Sequence, residues 1–189
     1  MKKMIFVIDM INGFCKEGAL ADPKIMGIVP ELHKYLEEYE GEKIEVRDSH
    51  PEDALEFQTF PVHCKKDTYE SDGIMELKDV LTDSKLFLKN STCALFAPGM
   101  MEYLKEEKPE EIVVTGCCTD ICVLNFVLAL KNFFNQENIN CNIIVYKDLV
   151  DTYDAPNHNR NEYNEMAFTL MAQAGILVKE LVKEKKLVR

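Results

Sequence analysis

The sequence of 189 residues lacks any apolar run long enough to cross a membrane, and it contains no tryptophan. Its N-terminal apolar segment is too short for a secretory signal peptide, so we expect a cytoplasmic protein. Basic charge is also scarce, because 33 acidic residues outnumber 22 basic ones and the formal net charge is −11. That balance argues against nucleic acid and against an anionic membrane surface as a partner.

Signs of a disulfide framework, of repeats and of domain linkers are missing as well. The seven cysteines are odd in number and unevenly spaced, so we expect them to remain thiols in a reducing cytosol. Internal repeats and low-complexity segments are absent. The length and a hydrophobic fraction of 47% suit one globular domain over residues 1–189.

What the sequence does contain is an alternation of short apolar runs with segments of helical periodicity. Strands are predicted at residues 4–9, 44–47, 85–88, 112–115, 141–146 and 175–178. Helices are predicted at residues 28–39, 74–80, 99–107, 120–134 and 159–174. This alternation predicts an α/β fold, a doubly wound and mostly parallel six-stranded sheet with helices on both faces. The irregular stretch 48–73 is expected to be functional, because long loops in compact domains usually are.

The most informative stretch, residues 112–123, reads IVVTGCCTDICV. Its β-branched run ends at Gly116, which permits a tight turn, and Thr119 and Asp120 are suitable caps for a following helix. Cys122 is therefore expected in the first helical turn, where unpaired amides and the helix dipole favour a thiolate. The alternative is a small buried packing residue, which describes most cysteines of intracellular proteins.

The same turn offers donors for a developing negative charge. The backbone N–H groups of Cys118 and Cys122 are predicted to point at one spot and to stabilise an oxyanion. The side chains of Cys117 and Cys118 are interpreted as packing residues at the strand end, and any further role for them stays open. The role of the acidic residues in 151–154 stays open too.

Four chemically capable residues follow the predicted strands at their carboxyl ends, where ligands bind in sheets of this kind. Asp9, Asp48 and Lys89 end the first three strands, and Cys122 lies just past the fourth. Asp9 would accept the proton of Cys122, and Lys89 would balance the charge, so that acyl transfer through a thioester follows. Taken singly, Asp9 could be a turn residue and Lys89 an ordinary surface lysine.

The irregular stretch carries a second constellation of oxygen and nitrogen donors. Asp48, His50, Glu56 and His63 have the side chains that hold zinc, iron or manganese in an open site. The alternative is a loop whose histidines only form hydrogen bonds. The neighbouring Cys64 is assigned to the core, because adjacent residues seldom both reach one ion.

Five segments together identify a family resemblance that spans nearly the entire chain. They read IFVIDMINGFC, RDSHPED, EFQTFPVHC, LKNSTCALF and VVTGCCTDICV. The chain resembles the cysteine hydrolases of the isochorismatase-like superfamily, and among them the nicotinamidases, also called pyrazinamidases. The TD-x-C-V motif combined with the strand-end Asp and Lys is highly specific.

The resemblance implies that Asp9, Lys89 and Cys122 form a catalytic triad and that a cis peptide bond precedes Cys118. It also implies a metal site at Asp48, His50 and His63, with Glu56 where some members carry histidine. The metal, zinc first and otherwise iron or manganese, would hold the pyridine nitrogen of the substrate. Phe14, Phe60 and Phe96 fall at positions where the family lines its pocket with aromatic rings.

The function implied is hydrolysis of nicotinamide, or of a similar small amide, to nicotinate and ammonia in NAD salvage and pyridine nucleotide biosynthesis. Two departures from the family are the missing tryptophan, replaced by Phe60, and the pair Cys117 and Cys118 in the turn. The alternatives are another amide or ureido hydrolase of the family, a thiol redox protein, and a non-catalytic metal-binding relative. Isochorismate hydrolases generally lack this cysteine. A homo-oligomer stays open.

Overall fold

A computed structural model describes residues 2–181 and contains the predicted six-stranded sheet. The strands are β1 Lys3–Ile8, β2 Glu42–Asp48, β3 Lys85–Lys89, β4 Glu111–Cys117, β5 Asn142–Asp151 and β6 Leu177–Lys179. Their order in the sheet is β3-β2-β1-β4-β5-β6, and every neighbouring pair is parallel. The prediction of an α/β fold with a doubly wound sheet is confirmed.

Five α-helices accompany the sheet within residues 2–181. They are α1 Asn12–Cys15, α2 Val29–Glu37, α3 Met100–Glu107, α4 Leu124–Glu137 and α5 Arg160–Gln173. The helix predicted at 74–80 is only the 3-10 turn Met75–Leu77, and the stretch 48–73 contains two more such turns, Leu55–Gln58 and Tyr69–Ser71. None of these helices is both long and apolar enough to traverse a lipid bilayer.

Apolar side chains cover both faces of the sheet, as expected for parallel strands that helices flank on each side. In β1, Phe6 packs with Phe126 and Leu130 of α4 on one face, together with residues of α3 and α5. Val7 belongs to the core on the other face, which includes Leu32 and Leu36 of α2. The alternation of side chains along each strand thus divides the interior into two cores.

β4 is irregular near its carboxyl end. Gly116 has φ +106°, and a Cβ atom there would lie 2.0 Å from the carbonyl oxygen of Ile8. The pairing with β5 shifts register between Val114 and Gly116. β4 extends through Gly116 to Cys117, two residues beyond its predicted end at residue 115. The peptide bond from Cys117 to Cys118 is cis, as the resemblance implied.

Candidate active site

The four strand-end residues lie together at the carboxyl edge of the sheet. The Lys89 Nζ atom is 2.8 Å from Asp9 Oδ2, 2.5 Å from Asp48 Oδ1 and 3.7 Å from Cys122 Sγ. A carboxylate oxygen of Asp9, one of Asp48 and the Cys122 sulfur all lie within 4.8 Å of one another. All four side chains are buried. The predicted juxtaposition of a nucleophile, a carboxylate and a cation is therefore present.

Sheet register places these groups side by side. Asp48 and Lys89 are partners in the pairing of β2 with β3, which brings the carboxylate against the ammonium group. Asp9 follows β1, the next strand in the sheet, and its Oδ1 atom accepts the backbone N–H of Asp48 at 2.9 Å. With Oδ1 occupied by that hydrogen bond, the second carboxylate oxygen of Asp9, Oδ2, faces Lys89.

Burial and the neighbouring charges together set the protonation of Asp9 and Lys89. Burial raises the pKa of Asp9 from 3.8 to about 7, with repulsion from Asp48 adding to the rise and Lys89 opposing it. Burial alone would lower the pKa of Lys89, but attraction to Asp48 and Asp9 outweighs it and raises that pKa well above its usual value. Lys89 therefore stays an ammonium between two carboxyl groups, one of which titrates near neutral pH.

Cys122 differs from the expectation of a thiolate in the resting site. Burial raises the pKa of its thiol well above the ordinary value, and the nearby Lys89 only partly offsets this. The residue lies in the π-helical turn Thr119–Val123, which precedes α4. Because desolvation outweighs the helix terminus and the cation, the resting side chain is a thiol that needs a base.

Three of the four predicted metal ligands converge beside this cluster. One ligand atom each of Asp48, His50 and His63 lies within 4.8 Å of the other two. Each imidazole donates its Nδ1–H, His50 to the Asn90 side-chain oxygen and His63 to the carbonyl of Pro61, both at 2.7 Å. With the proton on Nδ1, each neutral imidazole has a free lone pair on Nε2, and this is the tautomer that binds a metal through Nε2.

The buried Nε2 atom of His50 supplies a direct test of this interpretation. Among residues 2–181 it has no hydrogen-bond partner, and the nearest carboxylate oxygen, Asp48 Oδ2, is 3.7 Å away. Buried polar atoms are seldom left unpaired, so the donor set fits a divalent ion. Glu56 is not one of the three converging residues, although it lines the same cavity.

A cavity of about 530 Å³ opens onto both sets of residues. Cys122, Asp48 and His63 lie on its wall, and so do two of the predicted aromatic residues, Phe14 and Phe60. Phe96 does not line it; this residue ends the 3-10 turn Ala94–Phe96 and is 64% exposed. The structure therefore brings two of the three predicted rings into the pocket.

Several residues of the site escaped the sequence analysis. Tyr153 and Asp154, from the acidic segment whose role was open, line the cavity. Asp120 does not cap a helix as predicted; its carboxylate accepts hydrogen bonds from Thr152 at 2.5 Å and His158 at 2.8 Å. The local sequence around Asp120 carries no signal for these partners, which are 32 and 38 residues away.

Asn90, Cys117 and Cys118 complete the surroundings. Asn90 orients His50 through its side-chain oxygen. The sequence indicates this residue only by its polar side chain directly after the strand-end lysine. The buried thiol of Cys117 donates to the backbone carbonyl of Asp9 at 3.1 Å. Cys118 is partly exposed and lines the cavity beside Cys122. Cys117 is thus a packing residue, as interpreted, whereas Cys118 belongs to the pocket wall.

Comparisons with known proteins identify the family of this chain. The family model of the isochorismatase domain matches residues 3–178. Nicotinamidase 1 of Arabidopsis thaliana is 31% identical in an alignment of 174 residues that covers 82% of this chain and 71% of that protein.

Two solved structures have the same fold. The nicotinamidase of Bacillus subtilis superposes with a TM-score of 0.77 at 25% identity, covering 95% of this chain and all (100%) of that one. The pyrazinamidase of Pyrococcus horikoshii, solved in complex with zinc, has a TM-score of 0.77 at 20% identity, covering 96% and 100%. On the domain match and the Arabidopsis relative, the chain belongs to the isochorismatase family of hydrolases.

Proposed function

We propose that the protein hydrolyses nicotinamide to nicotinate and ammonia through a thioester on Cys122. The observation that carries the proposal is the shared cavity, onto which Cys122 and the candidate metal ligands Asp48 and His63 both open. A carboxamide and a ring nitrogen on one small molecule match that pairing of a nucleophile with a metal site. The Arabidopsis relative, a nicotinamidase by name, supports the same substrate.

Proton transfer in the proposed reaction runs between Cys122 and Asp9. The Asp9 carboxylate takes the thiol proton as the sulfur forms a bond to the carboxamide carbon, and it returns that proton to the leaving nitrogen. Ammonia departs as the C–N bond breaks and the thioester remains. A water then attacks the thioester and gives a proton to Asp9, which passes it to the sulfur as the C–S bond breaks, so that nicotinate and the free thiol result. The pKa of about 7 for Asp9 suits a group that works in both directions.

Lys89 and the turn at the end of β4 stabilise the charges that develop. Nζ of Lys89 lies 3.7 Å from the sulfur, so it favours the anion that forms as Asp9 becomes protonated. We assign the backbone N–H groups of Cys118 and Cys122 to the oxyanion of the tetrahedral intermediate, because both residues line the cavity.

The metal is assigned to Asp48, His50 and His63, with Glu56 as the further candidate ligand. When bound, the ion would supply a Lewis acid that holds the ring nitrogen of nicotinamide. The zinc named for the P. horikoshii pyrazinamidase makes zinc the first ion to test, ahead of iron and manganese. Nicotinate formation of this kind would place the protein in cytoplasmic NAD salvage.

The second candidate is hydrolysis of a larger amide or ureido compound, and the size of the pocket favours it. A cavity of about 530 Å³ is in the range that holds drug-sized ligands and exceeds what one pyridine ring with a carboxamide fills. The absence of tryptophan, a bulky residue that the family often places in this pocket, is consistent with extra room.

Ammonia release from purified protein tests the two candidates. We expect release from nicotinamide, loss of that release after chelation, and recovery when zinc is added back. Benzamide, which has the carboxamide without the ring nitrogen, should be a poor substrate with or without zinc. An N-carbamoyl amino acid serves as the ureido comparison, and Cys122→Ala is the blank. Release from the ureido compound but not from nicotinamide would refute the proposal in favour of the second candidate.

A further inference from the structure

A second buried polar cluster adjoins the nucleophile, and the proposed chemistry does not use it. Asp120, two residues before Cys122, accepts a hydrogen bond from His158 Nε2–H at 2.8 Å and one from the Thr152 hydroxyl at 2.5 Å. The side chains of His158 and Asp120 are 8% and 6% exposed. The cluster joins the turn that carries Cys122 to the segment between β5 and α5.

The two hydrogen bonds of His158 fix its protonation. Nδ1 lies 3.0 Å from the backbone carbonyl of Tyr153, and Nε2 faces the Asp120 carboxylate. A carbonyl and a carboxylate can only accept, so both bonds form only when each ring nitrogen carries a proton. The complete arrangement is therefore an imidazolium paired with a carboxylate.

Two tyrosines enclose this ring. Tyr153 stacks on His158 with ring centroids 3.8 Å apart and an angle of 9° between the planes. Tyr163 of α5 lies against it at 3.7 Å. Aromatic faces attract a cation, so the pair of rings favours the same charged form that the hydrogen bonds require.

The cluster matters for the pocket because Tyr153 lines it. His158 holds Tyr153 both by the stack and by the bond to its carbonyl. Two backbone hydrogen bonds between Ala155 and His158 close the turn that follows, and Ala155 also lines the cavity. Displacement of His158 would therefore move one wall of the cavity, whereas Asp120, in the turn that carries Cys122, would keep its hydrogen bond from Thr152.

We propose that His158, held as an imidazolium by Asp120 and two tyrosines, is a positioning residue that fixes Tyr153 as a wall of the substrate cavity. The proposal rests on the proposed function only in naming nicotinamide as the ring that this wall meets. His158 acts through Tyr153, so its loss should weaken substrate binding and spare the chemical step.

The kinetic test is a double-mutant cycle on nicotinamide hydrolysis. We expect His158→Gln and Tyr153→Ala each to raise KM about five- to tenfold, with kcat within about twofold of the parent. Because both changes remove the same wall, the double variant should have the KM of Tyr153→Ala alone. His33→Gln is the matched control, since His33 also binds a carboxylate, that of Asp79, but on the exposed surface. An unchanged KM for His158→Gln, or effects that multiply in the double variant, would overturn the proposal.

Nitrogen-15 NMR of the histidine rings gives a readout that needs no substrate. The chain has four histidines, and the signals that vanish in His158→Gln belong to His158. We expect both nitrogens to be protonated in the parent, because each faces an acceptor, and the ring to lose one proton in Asp120→Asn, which replaces the carboxylate by a neutral amide. A neutral ring in the parent would refute the imidazolium. If the parent released no ammonia from nicotinamide, the proposed function would fail, and this measurement would still decide the protonation of His158.

Discussion

Within the part of the chain that the structure describes, Lys89 is the only cation in contact with two buried carboxyl groups. Its replacement by methionine tests how much the positive charge stabilises these two groups in the interior. Methionine matches the length and the apolar stem of lysine, so Lys89→Met removes the charge and little volume. Asp9 and Asp48, at 2.8 and 2.5 Å from the ammonium, would be left facing each other in the interior. Stability, and not only activity, should therefore suffer.

Removing one partner of a buried ion pair costs roughly 3–5 kcal/mol, because the other charge stays uncompensated. We expect Lys89→Met to lower the free energy of unfolding by about that amount at pH 8. Lys85→Met is the control on the same strand, where the ammonium is half-exposed and 3.8 Å from Glu42. An exposed pair of this kind contributes at most about 1 kcal/mol.

Urea denaturation in the presence of a chelator measures the free energy of unfolding of the Lys89→Met and Lys85→Met variants without a contribution from bound metal. The folded pKa of Asp9, about 7, lies above its ordinary value of 3.8, so its contribution to stability is present at low pH and is lost as the pH rises through about 7. Lys89→Met removes the cation that lowers this pKa. The Asp9 contribution to stability should therefore continue to fall above pH 7 in the variant, where in the parent it has levelled off. Equal losses for the Lys89 and Lys85 variants, or a Lys89 loss that is the same at pH 5 and pH 8, would refute the reasoning.

Three further substitutions test the nucleophile, the base and the turn. Cys122→Ala should abolish ammonia release with the circular dichroism unchanged, whereas Cys117→Ala stays active; the reverse would refute the assignment. Asp9→Asn keeps the acceptor for the backbone but cannot take a proton, so kcat should fall by roughly two to four orders of magnitude, and a near-normal rate would point to another base. Gly116→Ala should destabilise the fold by roughly 3 kcal/mol or more in urea denaturation, because its Cβ meets the backbone at φ +106°. Gly27→Ala, with nothing within 4 Å, is its control, and equal stabilities would contradict the clash.

Hydrophobic periodicity was sufficient to predict the sheet, because six apolar runs separated by helical patterns have few compatible arrangements. It was insufficient where structure depends on partners that are distant along the chain. Asp120 looks like a helix cap in its local sequence, yet its partners Thr152 and His158 come from the far side of β5. The helix expected at 74–80 shortens to the 3-10 turn Met75–Leu77.

The same distinction between local pattern and distant partners applies to the residues of the candidate site. Strand ends are fixed points of the fold, so the convergence of Asp9, Asp48 and Lys89 followed from their positions after apolar runs. Loop residues are not fixed in this way, and accordingly Phe96 lies outside the cavity and Glu56 apart from the three converging ligands. The protonation of Cys122 also depends on how deeply it is buried, which a motif does not specify.

Asp48 explains why the two constellations of this chain need one another. Its Oδ1 atom binds the Lys89 ammonium, while Oδ2 faces His50 among the candidate metal ligands. A single carboxylate thus balances the lysine of the proposed triad and belongs to the set that fits a divalent ion. Any change in charge on one side alters the field on the other, because both share this buried group at low effective dielectric. The partnership of Asp48 with Lys89 in the sheet therefore connects the proposed triad to the candidate metal ligands.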